Sequence, residues 1–207
     1  MGFKIYHASA ALPLVLLLIA IIFIALTATS MITTETTSSE EDLEQYVDDA
    51  INEITSYLKI QEVYATYSEQ SPYHLTKLAI LATPLFHQEI NLSTWIIQVQ
   101  TNNALTIYTY NQTSSPLEEA SVFTHDQWNT LGPHHFGILS IQDKDNSLLM
   151  YHSFSEPNDL AFFTLSLDDL FIIKGDMVTV YLSPGKGVEK TIQFQAPLPT
   201  KHIVNLW

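Results

Sequence analysis

The sequence predicts an α+β protein with a long N-terminal hydrophobic and amphipathic α-helix, followed by an antiparallel β-sandwich head. Three observations predict this class. Residues 5–34 contain no Asp, Glu, Lys or Arg, apolar residues then recur at helical spacing as far as Ile54, and from Leu58 the spacing changes to two. A period of two is typical of strands. We therefore place an N-terminal helix at residues 1–57 and a β-sandwich head at residues 58–207.

The N-terminal helix has two parts. Its apolar centre, Ala8–Met31, is long enough to cross a bilayer, for which about 20 apolar residues suffice. The next part, Glu40–Ile54, carries its apolar side chains on one helical face. A helix from Ala8 to Tyr57 would be about 75 Å long, and a head of this size cannot bury it. We expect a membrane, other copies of the helix, or both in succession to cover an assembly face formed by Leu14, Leu17, Leu18, Ile21, Ile22, Ala25, Leu43, Val47, Ile51 and Ile54.

The charges that flank the apolar run indicate its orientation. Lys4 precedes the run, and acidic residues from Glu35 onward follow it. The positive-inside tendency then places the N-terminus in the cytoplasm and the head outside. A cleaved secretory signal is the alternative, although the run is longer than a typical signal core. Pro13 could bend the helix, although a tolerated membrane-helix proline is the simpler interpretation. Thr33–Ser39 has the weakest helix propensity, which indicates either a flexible joint or a helix held together by neighbouring subunits.

Composition excludes some classes of partner. The formal net charge is −14, and nucleic-acid binding selects basic surfaces instead. Like charge at this level repels, so densely packed copies would need bound cations, salt or low pH. The chain contains no cysteine, which excludes disulfides and thiolate chemistry.

The head reads as short strands separated by turns. In two of the strands one face looks buried, because Trp95, Ile97 and Val99 share a side and Leu105 and Ile107 alternate with polar or aromatic residues. A shift of the apolar pattern at Gln61-Glu62 indicates a β-bulge in a strand that begins at Leu58. The other predicted strands are His74–Thr83, Ile90–Gln100, Ala104–Tyr110, Phe136–Ile141, Asp159–Leu167, Met177–Ser183, Lys190–Gln195 and Ile203–Trp207.

Turns and loops complete the head. Asn102-Asn103 is a plausible hairpin turn, and Ser183–Gly187 is the strongest turn signal in the chain. The composition of Asn111–Pro133 predicts a long loop, either on an outer surface or at a subunit contact. We expect the last strand, Ile203–Trp207, to lie at the sandwich edge, with burial by a neighbouring subunit as the alternative.

Few residues point to chemistry. The oxygen-rich stretch that includes Asp143, Asp145 and Asn146 could bind Ca²⁺, although it lacks the closing glutamate of an EF-hand and reads more simply as an acidic turn. Asn91 and Asn111 begin glycosylation sequons. The histidines show no metal-ligand spacing. No nucleophile motif or phosphate-binding glycine loop is present, so we expect no enzymatic activity.

Four stretches resemble archaeal flagellins (archaellins), which belong to the type IV pilin-like superfamily. The apolar helix passes into an amphipathic one, LKIQEVYATY leads out of it, HLTKLAILATPLFHQEINLSTWIIQV is similar to the family's first long hairpin, and IIKGDMVTVYLSPGKGVEKTIQFQAPLPTKHIVNLW is similar to its closing strands. FGILSIQDKDNSLL is a fainter match. The resemblance implies helices packed into a filament core beneath β-sandwich heads. The N-terminus departs from the family pattern, because MGFKIYHA has one Lys and no basic-glycine cut site.

The resemblance implies a structural subunit of an archaeal surface filament, an archaellum or type IV pilus-like fibre for motility or adhesion. Such a subunit would sit in the membrane before assembly, meet the archaellum assembly machinery, and polymerise with itself or alternate with a second archaellin. The alternative is a single-pass accessory protein whose head binds the cell-wall layer or the motor. We expect no cofactor beyond the candidate Ca²⁺ ion.

Overall fold

The computed structural model describes residues 58–71, 73–118, 121–185 and 187–206. The predicted N-terminal helix, its assembly face from Leu14 to Ile54, the proposed membrane span Ala8–Met31 and Trp207 lie outside these ranges. Within the described ranges, no helix combines the length and the apolar character needed to span a bilayer.

The described part of the chain is mostly β structure. Its strands are β1 (Leu58–Tyr67), β2 (Leu75–Pro84), β3 (Ile90–Asn91), β4 (Ile96–Gln100), β5 (Leu105–Pro116), β6 (His135–Gln142), β7 (Ser153–Phe154), β8 (Leu160–Ser166), β9 (Met177–Ser183), β10 (Lys190–Gln195) and β11 (Ile203–Asn205). Two short helices, α1 (Gln127–Thr130) and α2 (Ser147–Met150), and 3₁₀ turns at Leu92–Thr94, Val122–Thr124 and Asp168–Leu170 lie between them.

One sheet contains most of the described strands. Nine strands follow the order β10-β9-β4-β5-β6-β8-β2-β1-β11, and β3 and β7 form a separate two-stranded ribbon. Val63 near one end of this order and Ile192 near the other belong to the same buried cluster, so the sheet curls and packs its inner face against itself. The sandwich is therefore one curled sheet, and its strands are antiparallel except for the parallel pair β5–β6.

Several predicted features are confirmed. The register of β1 against β2 shifts between Ile60 and Glu62, as expected for the bulge at Gln61-Glu62. Asn102-Asn103 lies in the β4–β5 hairpin, where Thr101 N–H donates to the Ala104 carbonyl at 2.8 Å. The last strand, β11, pairs with β1 through Tyr64 to Thr66, so it lies at the sheet edge.

Two predicted elements are wrong in extent. Ile90–Gln100 is not one strand, because the 3₁₀ turn Leu92–Thr94 interrupts it; the Asn91 side chain accepts a hydrogen bond from Ser93 N–H and competes with strand pairing. The predicted loop Asn111–Pro133 begins as strand, since β5 continues to Pro116 and pairs with β6 there. The local sequence pattern did not indicate this extension, because the pairing depends on a parallel strand that follows later in the chain.

Candidate functional site

The outer surface of the curled sheet has two halves. We call the outward side of β1, β2, β6 and β8 the covered face, because the covering segment (residues 117–118 and 121–131) lies on it. We call the outward side of β4, β5, β9 and β10 the open face. The inner sides of both halves share one core, in which the Phe163 ring lies 5.8 Å from the rings of Trp95 and Phe136.

The covering segment packs by apolar contact. Buried Phe123 joins a cluster with outward-facing residues of the sheet, and Trp128 packs against the same cluster; the sheet members are Ala79, Leu81, Leu139 and Phe162. The indole N–H of Trp128 donates to the Val122 carbonyl at 2.7 Å, which fixes the ring within the segment. The burial of apolar surface stabilises a fold by about 25 cal/mol for each Å² removed from water. The segment that the sequence predicts as exposed or at a subunit contact therefore covers its own head.

Polar contacts fix the segment in place. Lys77 of β2 donates from Nζ to the Phe123 carbonyl at 3.1 Å and lies 5.0 Å from the centre of the Trp128 ring. Burial lowers the pKa of Lys77, and Asp168 partly offsets this effect. The side chain of Gln127 is only 4% exposed, and in the amide orientation that satisfies both ends it donates to the Ile138 carbonyl at 2.9 Å and accepts from Ile138 N–H at 3.2 Å.

Gly137 makes room for this glutamine. A Cβ atom at Gly137 would clash with the side-chain amide of Gln127, at a separation that real structures do not show. The contact lies beside the place where the β5–β6 register shifts, between Tyr110 and Ser114. The bare backbone of β6 therefore lets the covering segment approach the sheet.

An open cleft lies at one end of the covered face. It has a volume of about 610 Å³ and is lined by Tyr67, His74, Thr76, Lys77, Asp168 and His202 among others. Several of these groups already bond within the fold: the Thr66 and Thr76 hydroxyls are 3.1 Å apart, and the Tyr67 hydroxyl donates to the Pro197 carbonyl at 2.5 Å. The cleft is thus built from groups that hold strand ends together.

The acidic turn brings together two of the predicted metal ligands and adds a third carboxylate. Ligand atoms of Asp143, Asp145 and Asp159 all lie within 4.8 Å of one another. Asn146 is exposed and turns the chain into α2 with a φ of 58°. Asp159 is 1% exposed and enters from the start of β8, so sequence spacing alone did not indicate it. Carboxylate oxygens suit Ca²⁺.

Hydrogen bonds hold these carboxylates in position. Asp145 accepts from Ser147 N–H at 3.1 Å and from the Ser155 hydroxyl at 2.5 Å, and Asp159 accepts from Ser155 N–H at 2.9 Å. The Ser155 hydroxyl is the main cause that lowers the pKa of Asp145 to about 2. Burial raises the pKa of Asp143. The pKa values of the two neighbouring carboxyls are therefore shifted in opposite directions, one by a hydrogen bond to the charged form and the other by burial.

Both sequons lie at the surface. Asn91 is exposed at the end of β3, and its side-chain oxygen Oδ1 accepts from Ser93 N–H and from the Ser93 hydroxyl. Asn111 is partly exposed in β5, beside Gln112, whose φ is 52°. Of the two, Asn91 is the more accessible to a transferase.

Sequence and structure comparisons both find similarity to archaeal flagellins. No protein-family model matches the chain. The chain is 24% identical over 204 residues to Flagellin B3 of Methanocaldococcus jannaschii. The aligned region covers 92% of this chain and 91% of that protein. The crystal structure of archaeal flagellin FlaB1 from M. jannaschii matches with a TM-score of 0.65 at 21% identity, over 72% of this chain and 95% of that one. The archaeal flagellum of Methanospirillum hungatei strain JF1 matches with a TM-score of 0.63 at 13% identity, over 91% and 94%.

Proposed function

The chain is archaellin-like in sequence and in fold, and on that premise we propose that it is a structural subunit of an archaeal surface filament. The observation that carries this proposal is the extent of the match, since a filament structure matches 91% of this chain. The filament would be an archaellum or a type IV pilus-like fibre that serves motility or adhesion. The role is structural rather than catalytic.

Polymerisation through the N-terminal helix is the mechanism that the sequence favours. If each helix buries about 1,000 Å² of apolar surface, the gross gain is about 25 kcal/mol, from which the costs of association are subtracted. In the membrane this gain is absent, because lipid is as apolar as a neighbouring helix. Assembly machinery must therefore move the subunit from the membrane into the filament, where the head would face the exterior.

Deletion of Ala8–Met31 tests this mechanism. The truncated protein should be water-soluble and monomeric in analytical ultracentrifugation, whereas the full chain should appear in purified surface filaments by electron microscopy and mass spectrometry. A truncated protein that still polymerises would contradict the proposal. Detection of the full chain only in the cell membrane would favour an accessory protein whose head binds the cell wall or the motor. The same mass spectrometry would reveal a second archaellin.

A cation at the acidic turn is part of this proposal. Asp143, Asp145 and Asp159 would hold Ca²⁺, with Asn146 beside them, and the ion would offset some of the repulsion within a head of an acidic chain. Calorimetric titration should detect binding to the full-length subunit, and Asp145→Asn should weaken it by about tenfold or more. Asp176→Asn, at a different acidic turn, is the matched control. No heat of binding for the unaltered protein would remove the ion from the proposal.

Glycosylation at Asn91 and Asn111 is proposed as well. A glycan on exposed Asn91 would extend from the surface without displacing packed groups. Mass spectrometry of filament peptides should find added sugar on Asn91, and Asn91→Gln should abolish it. Peptides that carry no modification at either asparagine would contradict this part of the proposal.

A further inference from the structure

The open face carries no formal charge. Its outward-facing residues are Ile96, Gln98 and Gln100 of β4, Leu105, Ile107 and Thr109 of β5, Met177, Thr179, Tyr181 and Ser183 of β9, and Thr191, Gln193 and Gln195 of β10. None is Asp, Glu, Lys or Arg, in a chain with a net charge of −14. Glu189 borders the face, where its carboxylate accepts from the Ser183 hydroxyl at 2.5 Å.

Aliphatic side chains form a stripe across this face. Ile96 is 40% exposed, Leu105 57% and Ile107 49%. Ile107 lies opposite Gln98, and Ile96 opposite Thr109, so Ile96 and Ile107 are diagonal neighbours and Leu105 follows on the same side of β5. Tyr108, on the inner side of the same strand, is 2% exposed. The strand therefore keeps aliphatic side chains in water while a tyrosine is buried.

The size of the face indicates what kind of partner it can hold. Four strands spaced by about 4.8 Å, each contributing about 20 Å of length, present about 400 Å². A stable interface buries about 800 Å² on each partner. The face is therefore too small to capture a free protein from solution, but it is sufficient between molecules that another contact already holds together, because their effective concentration is high.

Charge indicates the identity of that partner. Two copies of a chain with net charge −14 repel each other wherever their charged surfaces meet, and an uncharged surface lets them approach at the lowest electrostatic cost. We propose that the open face is a lateral contact between heads, covered in the filament by a second copy of this chain. This inference rests on the proposed filament function and identifies the surface through which its heads touch. Because a filament is an open assembly, a different patch of the neighbouring head would meet the face.

Thiol labelling tests the proposal in the intact protein. The chain has no cysteine, so Ile107→Cys introduces a single reactive group. Its reaction with a maleimide should be about tenfold slower or more in filaments than in the full-length subunit dispersed in detergent, because a covered group reacts only when the interface opens. Leu198→Cys is the matched control, since Leu198 is 54% exposed outside the face, and it should react at nearly the same rate in both states.

The labelling outcomes separate the possibilities. Equal reactivity of Ile107→Cys in filaments and in dispersed subunits would overturn the proposal while leaving the filament function intact. Equal slowing at both positions would indicate general crowding and would also overturn it. Slow reaction already in the dispersed subunit would mean that residues 1–57 of the same chain cover the face, which contradicts a second copy. Failure to find filaments at all would instead refute the underlying function.

Two further measurements identify the occupant. A photo-reactive cross-linker attached to Ile107→Cys in filaments should give a product of twice the subunit mass, and a product that contains another protein or a glycan would overturn the assignment. Charge substitutions provide the second measurement. Ile107→Asp should shorten filaments more than Ile107→Lys, because the facing copy is acidic, while Leu198→Asp, outside the face, should leave their length unchanged. An equal effect of Asp and Lys would contradict an acidic neighbour.

Discussion

The covered face and the open face differ in what completes them. Both are outer sides of the same curled sheet, and both rest on the same inner core. On the covered face the chain supplies its own cover, with Phe123 and Trp128 packed on outward-facing side chains of the sheet. On the open face the structure leaves an aliphatic stripe exposed. Among the described residues, the covering segment therefore lies on one half of the outer surface, and the aliphatic side chains of the other half stay exposed.

The largest expected effect comes from the core that both halves share. Phe163→Ala removes a ring that is 0% exposed and should destabilise the head by about 3–5 kcal/mol, the usual cost of truncating a buried aromatic. Denaturant unfolding of the full-length subunit in detergent, followed by circular dichroism, measures this change. A loss below 1 kcal/mol would mean that the two halves do not share one core.

Trp128→Ala should have the next largest effect, because it opens the covered face. The substitution removes the apolar contact between the Trp128 ring and the sheet, and it also removes the ring face that Lys77 Nζ contacts. We expect a loss of about 2–3 kcal/mol in the free energy of unfolding. Leu105→Ala on the open face is the comparison, with an expected change within about 0.5 kcal/mol. Similar losses at both positions would erase the distinction between the faces.

Gly137→Ala tests how the covering segment approaches the sheet. The added methyl group meets Gln127 and should cost about 1–3 kcal/mol, as overpacking usually does. Adding Gln127→Ala removes the clash, so the two substitutions together should cost less than the sum of their separate effects. Strict additivity in this double-mutant cycle would show that the glutamine does not occupy the space beside Gly137.

Ile107→Thr should leave the stability of the head almost unchanged, within about 0.5 kcal/mol, because threonine retains the strand preference of a β-branched residue and the position is half exposed. Thermal unfolding of the dispersed subunit checks this. A larger loss of stability would indicate that Ile107 packs against another part of the same chain. The open face would then have a cover of its own, as the covered face does.

The smallest expected effect concerns pH and lies outside both faces. The Ser155 hydroxyl holds the pKa of Asp145 near 2, below the value of about 3.9 in an unfolded chain. The stability contribution of Asp145 is therefore fully present above about pH 4 and is lost as the pH falls towards 2. Asp145→Asn should flatten the pH dependence of thermal unfolding in that range. Asp143 has a raised pKa and acts in the opposite direction.

Periodicity predicted most of the strands, and the reason is visible in β4. Ile97 and Val99 are both 0% exposed, so one face of this strand is buried and the alternation is clear. In β5 the same pattern left the direction open. Leu105 and Ile107 alternate with Tyr108 and Tyr110, and the structure turns the tyrosines inward and the aliphatic residues outward. Alternation defines two sides of a strand but does not state which one faces the core.

Contacts between distant segments account for the rest. The pairing of β5 with β6 and the packing of the covering segment depend on residues far apart in the chain, which local patterns do not report. The same holds for Asp159, which joins Asp143 and Asp145 only after β8 is in place. The predicted assembly face, from Leu14 to Ile54, lies outside the described residues and stays a prediction.

The position of β1 has a mechanical consequence. Leu58 is the point at which the described head continues from the preceding segment of the chain, so tension transmitted along the backbone enters there. β1 pairs with β2 along its length and with β11 over Tyr64–Thr66. A pull along the strand axis would have to break these bonds together instead of unzipping them one at a time. The strand β11 thus gives β1 a second hydrogen-bonded neighbour near its far end, several residues beyond the point at which tension would enter.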